Sequence, residues 1–299
     1  MNKLPLEKRV QILSMLVEGS SMRSISRVAD VSINTVTRYL ELAGEACEAF
    51  HDEKVHGLKT RQFQADEIWS FCGAKKRNVP QDKKGDPNYG DIWTFTGLDS
   101  DSKLIVTWYV GDRSAENAQA FMNDAAWRID THVQISTDGF GGYTNAVDGA
   151  FGMNAHYAQV IKTYSETPDR GPARKYSPGI CVSVRKEPVF GSPNPDKIST
   201  SHVERQNLTM RMSMKRYARL GNAFSRKFAN HCHALALYFV WYNFVRQHKS
   251  IRTTPAMAAG VTKTTMEMSD IATLIEAREG PAKKRGSYKP RQISEPISN

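Results

Sequence analysis

Apolar residues recur at three- and four-residue spacing over roughly the first fifty positions and then switch toward alternation. A helical head followed by a mixed α/β body is therefore expected. Val10, Leu13, Leu16 and Val17 mark a helix from Pro5 to Glu18, ended by Gly19. Ser20 or Ser21 caps a short second helix with Ile25, Val28 and Ala29 inward, and Ser32 caps a third that opens INTVTRYL. In that third helix Val36, Leu40, Ala43, Cys47 and Phe50 keep an a/d spacing, with Glu41, Glu45, Glu48, Asp52 and Glu53 around them. This distal half reads as a connector or a self-association surface.

After a polar link the period changes. Phe63–Phe71, Ile92–Leu98 and Lys103–Val110 read as strands, the last two joined by the turn Asp99-Ser-Asp-Ser. Ser114 caps a helix to about Ile129; a strand His132–Thr137, a short helix Gly142–Val147 and a strand Ala158–Thr163 follow. The order β-β-β-α-β-α-β-α predicts an α/β fold, a ribonuclease H-like mixed five-stranded sheet with flanking helices, preceded by a small all-α helix-turn-helix domain. The expected organisation is a head over 1–53, a linker over 54–62, a body over 63–260 and an extension over 261–299. Within the body, 162–199 is read as an irregular insertion holding six of the thirteen prolines. The basic end from Gly280, with Lys283, Lys284, Arg285, Lys289 and Arg291, reads as disordered.

Charge sharpens the picture. A formal net charge of +10 and a pI near 9.4 favour an anionic partner, nucleic acid or an anionic membrane surface. No apolar run approaches the roughly 18 residues of a membrane span, and the start MNKLPLEKR is not a secretory signal, so the cytoplasm is expected. Four separated cysteines without a CxxC pair predict free thiols, and His231-Cys232-His233 reads as structural. If the head binds DNA, its third helix offers Ser32, Asn34, Thr35 and Arg38 to bases and phosphates; the alternative is a small bundle with no DNA role.

The segment Ser199–Arg219 reads as a basic helix, with Val203, Met210, Met214 and Tyr217 inward and Arg205, Arg211, Lys215, Arg216 and Arg219 outward. Between Val203 and Arg252 stand ten Lys or Arg and one carboxylate, Glu204. An acid facing a polyanion is repelled unless a divalent cation bonds to both, and that cation needs further carboxylates. Asp66, mid-strand, and Asp138, at a strand end before Gly-Phe-Gly-Gly, are candidates, because such positions are costly for an unpaired charge. Taken singly, Glu204 could pair with a nearby arginine, Asp66 could face solvent and Asp138 could form a turn. In a ribonuclease H-like sheet the first and fourth strands are neighbours, so Asp66 and Asp138 can share a metal while Glu204 reaches in from the later helix.

The strings Ala65-Asp-Glu-Ile-Trp-Ser-Phe71, Ser136-Thr-Asp-Gly-Phe-Gly-Gly-Tyr143, Ser201-His-Val-Glu-Arg-Gln-Asn207, Trp241–His248 and Thr254–Gly260 together resemble IS1-family insertion-sequence transposases, over about Phe63 to Gly260. The resemblance implies a DDE transposase that cleaves and joins DNA, with Asp66, Asp138 and Glu204 as catalytic metal ligands. It also implies two Mg²⁺ ions per site, Mn²⁺ being a substitute. Double-stranded DNA ends and target are the implied partners, with a homodimer or larger assembly on DNA. Arg205, Arg211 and Lys215 are read as backbone contacts and Asn207 as a weaker candidate. The cysteine-rich zinc segment frequent in relatives is absent. A helix-turn-helix transcription regulator, or a nuclease that cuts without joining, are the rival readings.

Overall fold

The computed structural model describes residues 4–165, 179–218 and 221–279. Residues beyond Glu279, including the basic end segment, and the middle of the 162–199 segment lie outside the described residues.

Helix α1 (Leu6–Val17), α2 (Met22–Val28) and α3 (Ile33–Lys54) come first. Ser21 and Ser32 cap α2 and α3 by accepting from the backbone N–H of Ser24 and Thr35, both at 3.1 Å. Asp30, in the left-handed region at φ 49°, makes the turn between them. Ile12, Ile25, Ala29 and Val36 form a small core here. Val28, expected inward, is 60% exposed, because α2 is only seven residues long and its inner face is completed by Ile25 and Ala29.

The apolar stripe of α3 is not a self-association surface. Leu40, Ala43 and Cys47 are buried in the main core of the same chain, and Phe50 packs against it. Helix α3 lies along α7 (Phe228–Val240) so closely that a Cβ added to Gly44 would stand 2.3 Å from the His233 Cβ. Helix α9 (Met268–Glu279) adds Ile271, Ala272 and Ile275 to that core, and Arg9 pairs with Glu276 at 2.7 Å.

The sheet contains β1 (Gln62–Cys72), β2 (Gly90–Asp99), β3 (Ile105–Gly111), β4 (Val133–Asp138), β5 (Ala155–Tyr164) and β6 (Cys181–Phe190), in the order β3-β2-β1-β4-β5-β6. β1 and β4 are parallel, as are β4 and β5; the other neighbours are antiparallel. The first five strands have the ribonuclease H-like arrangement. The sixth was not expected, since the prolines of 162–199 read as irregular. Pro188 is accommodated because β6 is an edge strand, and the register with β5 shifts beside it.

Helices α4 (Ala115–Arg128) and α5 (Gly142–Phe151) cover one face over Phe63, Ala65 and Phe95. α6 (Ser201–Ser213) and α7 cover the other over Ile68 and Leu98. α6 ends sooner than its composition suggests: Met214 is extended, and Tyr217, in a short 3-10 turn, is buried with its hydroxyl 2.7 Å from that of Thr94 and 3.0 Å from His231 Nε2. Burying that ring with two partners outweighs another helical turn. His231, also bonded to Ser225 at 2.9 Å, is structural. No helix among the described residues is long and apolar enough to cross a membrane.

Candidate active site

β1 and β4 pair from Gln62↔Gln134 to Ala65↔Thr137 and then part. The next residue on each strand is an aspartate, Asp66 and Asp138, at the carboxyl end of parallel strands where open α/β sheets form crevices. Beyond this point β1 keeps its ladder with β2 and, at its end, a single bridge from Cys72 to Ser225. The divergence opens a cleft of about 710 Å³ lined by Asp66, Glu67, Arg113, Asp138, Lys162, Glu204, Asn207 and Arg211 among others. All three acids singled out in the sequence thus share one cleft.

Each acid is held by its own element. Asp66 points toward α6, where the buried Asn207 amide donates to Oδ2 at 2.8 Å, and the Glu67 N–H donates to Oδ1 at 2.9 Å. Asp138 Oδ1 accepts from the Phe140 N–H at 3.0 Å, so the Gly-rich turn after β4 fixes its rotamer. The N-terminus of α6 is pinned to β1 by Gln64, whose Oε1 accepts from the backbone N–H groups of His202 at 3.0 Å and Val203 at 3.2 Å. That clamp presents Glu204 to the cleft one helical position later. Glu204 Oε1 accepts from Lys162 of β5 and from the Thr200 hydroxyl.

Glu67 is a functional candidate that strand alternation conceals. Adjacent strand residues point to opposite faces, yet because β4 has departed, Glu67 also reaches Asp138. One oxygen from each of Asp66, Glu67 and Asp138 lies within 4.8 Å of the others. The Glu67 side chain is 1% exposed. Its Oε2 is 3.4 Å from Arg113, and the hydroxyl of the fully buried Tyr143 is its other polar neighbour. Arg113 also reaches Asp138 Oδ2 at 3.3 Å, a role with no sequence signal beyond its place before the α4 cap.

This crowding shows in the electrostatics. Burial, then the Asp138 charge, pushes the Asp66 carboxyl up to about 7 and that of Glu67 up to about 8. Asp138 is also raised, by burial first, against the lowering pull of the Phe140 N–H and Arg113. Burial works against the Lys162 cation, but its bond to Glu204 holds it above the ordinary lysine range. A hard divalent cation suits these residues: the donors are all carboxylate oxygens, they lie within 4.8 Å of one another, and their charges repel.

The other sequence candidates are placed variously. Arg211 lines the cleft, as its spacing from Glu204 predicts. Arg205 is exposed on α6, and Lys215 is exposed in the 3-10 turn after it; neither lines the cleft. Asn207 is a buried partner of Asp66 rather than a surface amide. Ser32 and Thr35 are joined in the α3 cap, Asn34 is exposed, and Arg38 lies 3.3 Å from Glu279 of α9.

No family model and no curated protein matches the chain. Among solved structures it is similar to the Mos1 transposase paired-end complex with left transposon end, at 14% identity and a TM-score of 0.23 over 52% of this chain and 60% of that one. It is also similar to the piggyBac transposase synaptic complex with hairpin DNA, at 10% identity and a TM-score of 0.38 over 93% of this chain and 73% of that one. A third is Endonuclease V from Bacillus subtilis, at 10% identity and a TM-score of 0.20 over 40% of this chain and 54% of that one. In the match to the Mos1 paired-end complex this chain spans less than two thirds of that chain's length.

Proposed function

We propose that this protein is a DNA transposase of the IS1 type, which binds the ends of an insertion sequence and catalyses metal-dependent strand cleavage and strand transfer. The observation that carries the reading is the convergence of Asp66, Asp138 and Glu204, spread over 139 positions of sequence, in one cleft that also holds Arg113, Lys162 and Arg211. A carboxylate cluster walled by cations is suited to a phosphodiester and poorly suited to a neutral ligand.

In this reading Asp66, Asp138 and Glu204 would hold the divalent cations, two Mg²⁺ per site, with Glu67 as a further ligand. Bound divalent ions supply activation of the attacking oxygen and charge stabilisation at the leaving one. Asn207 keeps Asp66 in its rotamer, and the Phe140 N–H does the same for Asp138. Lys162 keeps Glu204 neutralised until substrate enters, then turns to a phosphate oxygen. Arg211 holds the backbone of the bound strand from the same wall. Water attack on the phosphorus breaks the P–O3′ bond at the element end, leaving a 3′-OH and a 5′-phosphate, and attack by that 3′-OH on a target phosphodiester forms the new P–O3′ bond while the target's 3′-oxygen leaves as a 3′-OH.

The leading edge of α3, with Ser32, Asn34, Thr35 and Arg38, reads the element ends in this proposal, and Arg205 and Lys215 add backbone contacts outside the cleft. Two ends require two active sites, so a dimer or larger assembly forms on double-stranded DNA, on the nucleoid of a bacterial or archaeal cell. The deciding experiment incubates the protein with DNA carrying candidate element ends and Mg²⁺, and scores cleavage and joining separately. Cleavage without joining assigns a nuclease; specific binding with neither assigns a regulator.

A further inference from the structure

Past the catalytic crevice the β1–β2 ribbon carries a row of aromatic rings interleaved with cations. Antiparallel pairing sets Trp69 directly opposite Trp93, on the sheet face that Glu67 shares. The Arg113 guanidinium, already in contact with Glu67 and Asp138, lies 4.4 Å from the Phe140 ring centre and 5.1 Å from that of Trp93. Farther out, Lys75 Nζ stands 5.7 Å from the Trp69 ring centre and 5.6 Å from that of Phe71. Trp69, Trp93 and Phe140 are each half-buried, so each ring is supported from below and keeps a solvent side. The loop that closes the ribbon, residues 73–89, bears five Lys or Arg against two Asp, with Lys76, Arg77, Lys83 and Lys84 exposed.

Folding accounts for the inner sides of these rings, where Trp93 and Phe140 meet the core and Trp69 meets Phe71, but not for the cations over their outer sides. The solvent sides of these rings beside cations add nothing to that packing, whereas π faces alternating with positive charges fit a strand of unpaired nucleotides. The row is continuous with the cleft through Arg113, so a strand whose phosphate sits at the carboxylates continues onto it. We infer that the Phe140–Arg113–Trp93–Trp69–Lys75 row is a single-strand track that takes unpaired DNA bases flanking the scissile phosphate, by stacking and without base preference. The inference rests on the reading of the cleft as a DNA-processing site.

Binding is measured in EDTA with the full-length protein, by fluorescence polarisation of one DNA duplex in three forms: blunt, with an unpaired dT8 flank on one strand, and with that flank on the other. The wild type is expected to bind one flanked form at least about fivefold more tightly than the blunt form, the lower end of what a single base stack implies. Trp69→Ala should abolish that preference and Trp69→Phe should keep most of it, with melting temperatures recorded for both. If Trp69→Ala does not fold, Lys75→Met, at a side chain outside the core, should still reduce the preference. Equal wild-type affinity for all three forms overturns the track, as does a folded Trp69→Ala variant with the preference intact, which would make the rings packing only. Wild-type cleavage of the blunt duplex in Mg²⁺ is scored separately. Its absence would count against the DNA-processing reading, while the binding preference, read without metal, decides the track.

Discussion

Asp66 and Asp138 stand at the same step of two neighbouring parallel strands, one residue past their last paired positions, Ala65 and Thr137. Seventy-two positions apart in sequence, they meet because β4 ends where β1 continues. Replacing Asp66 or Asp138 by Asn, or Glu204 by Gln, keeps size while removing charge. Each variant should lose metal-dependent cleavage by more than about a thousandfold, several kcal/mol of barrier, and retain end binding. Double variants should lose little more, since groups acting as a unit are not additive. A folded single variant with normal cleavage would remove that residue from the set.

Leu40 is 1% exposed inside the core shared by α3, α7 and α9. Leu40→Asp should therefore lower stability by at least about 3 kcal/mol through a buried charge and a poorly filled site, not by a specific loss of assembly. Chemical denaturation of the purified variant checks this, and a stable but monomeric variant would contradict it.

Much of this was legible beforehand because it depends on local pattern. A serine cap on α2, which the structure assigns to Ser21 of the pair Ser20-Ser21, the caps at Ser32 and Ser114, the five strands from Gln62 to Tyr164 and the strand-end position of Asp138 all follow from spacing and side-chain chemistry. What escaped depends on where strands stop pairing. Period-2 alternation sends Glu67 away from Asp66, and only the divergence of β1 from β4 lets both approach Asp138. Lys162 reads as an ordinary strand-end lysine until β5 is set beside α6. The stripe of α3 looked like a free surface because its cover, α7 and α9, lies over 170 residues downstream.

If α3 reads the element ends, Asn34→Ala and Arg38→Ala should each weaken specific binding by about 1 to 3 kcal/mol where they touch bases. Competition between end and random duplex checks it. Equal affinity of the wild type for both would end this reading of α3.

Lys162 binds the carboxylate that a metal would use, so the two cations compete for Glu204. Both side chains are partly solvated, at 27% and 39% exposure, which limits the effect. Lys162→Met should raise Mg²⁺ affinity by about threefold to tenfold and reduce the salt dependence of DNA binding by about one phosphate contact. Calorimetric Mg²⁺ titration unchanged from wild type would assign Lys162 to the fold alone.

The carboxylate cluster also sets a pH dependence. In the unfolded chain Asp and Glu titrate near about 4, whereas burial and the Asp138 charge lift Asp66 to about 7 and Glu67 to about 8 in the folded, metal-free protein. Between these values the folded state binds more protons than the unfolded one, so stability falls as pH rises through the interval. His51 and His231 act oppositely: burial lowers both to about 3, so unfolding takes up protons below about 6.5 and stability falls toward acid. Above pH 7 their contribution is nearly level, which leaves pH 7 to 8 as the window for the carboxylates. In EDTA the melting temperature should drop across that window, and saturating Mg²⁺ should remove the drop by stabilising the ionised cluster. Glu67→Gln should flatten the slope without metal and melt above wild type at pH 8; the buried thiols Cys47, Cys72 and Cys232 are common to both proteins and cancel in the comparison. A wild-type melting temperature that is level or rising from pH 7 to 8 in EDTA would show that Asp66 and Glu67 are ionised without metal, and the cluster would then lack the strain that a divalent ion relieves.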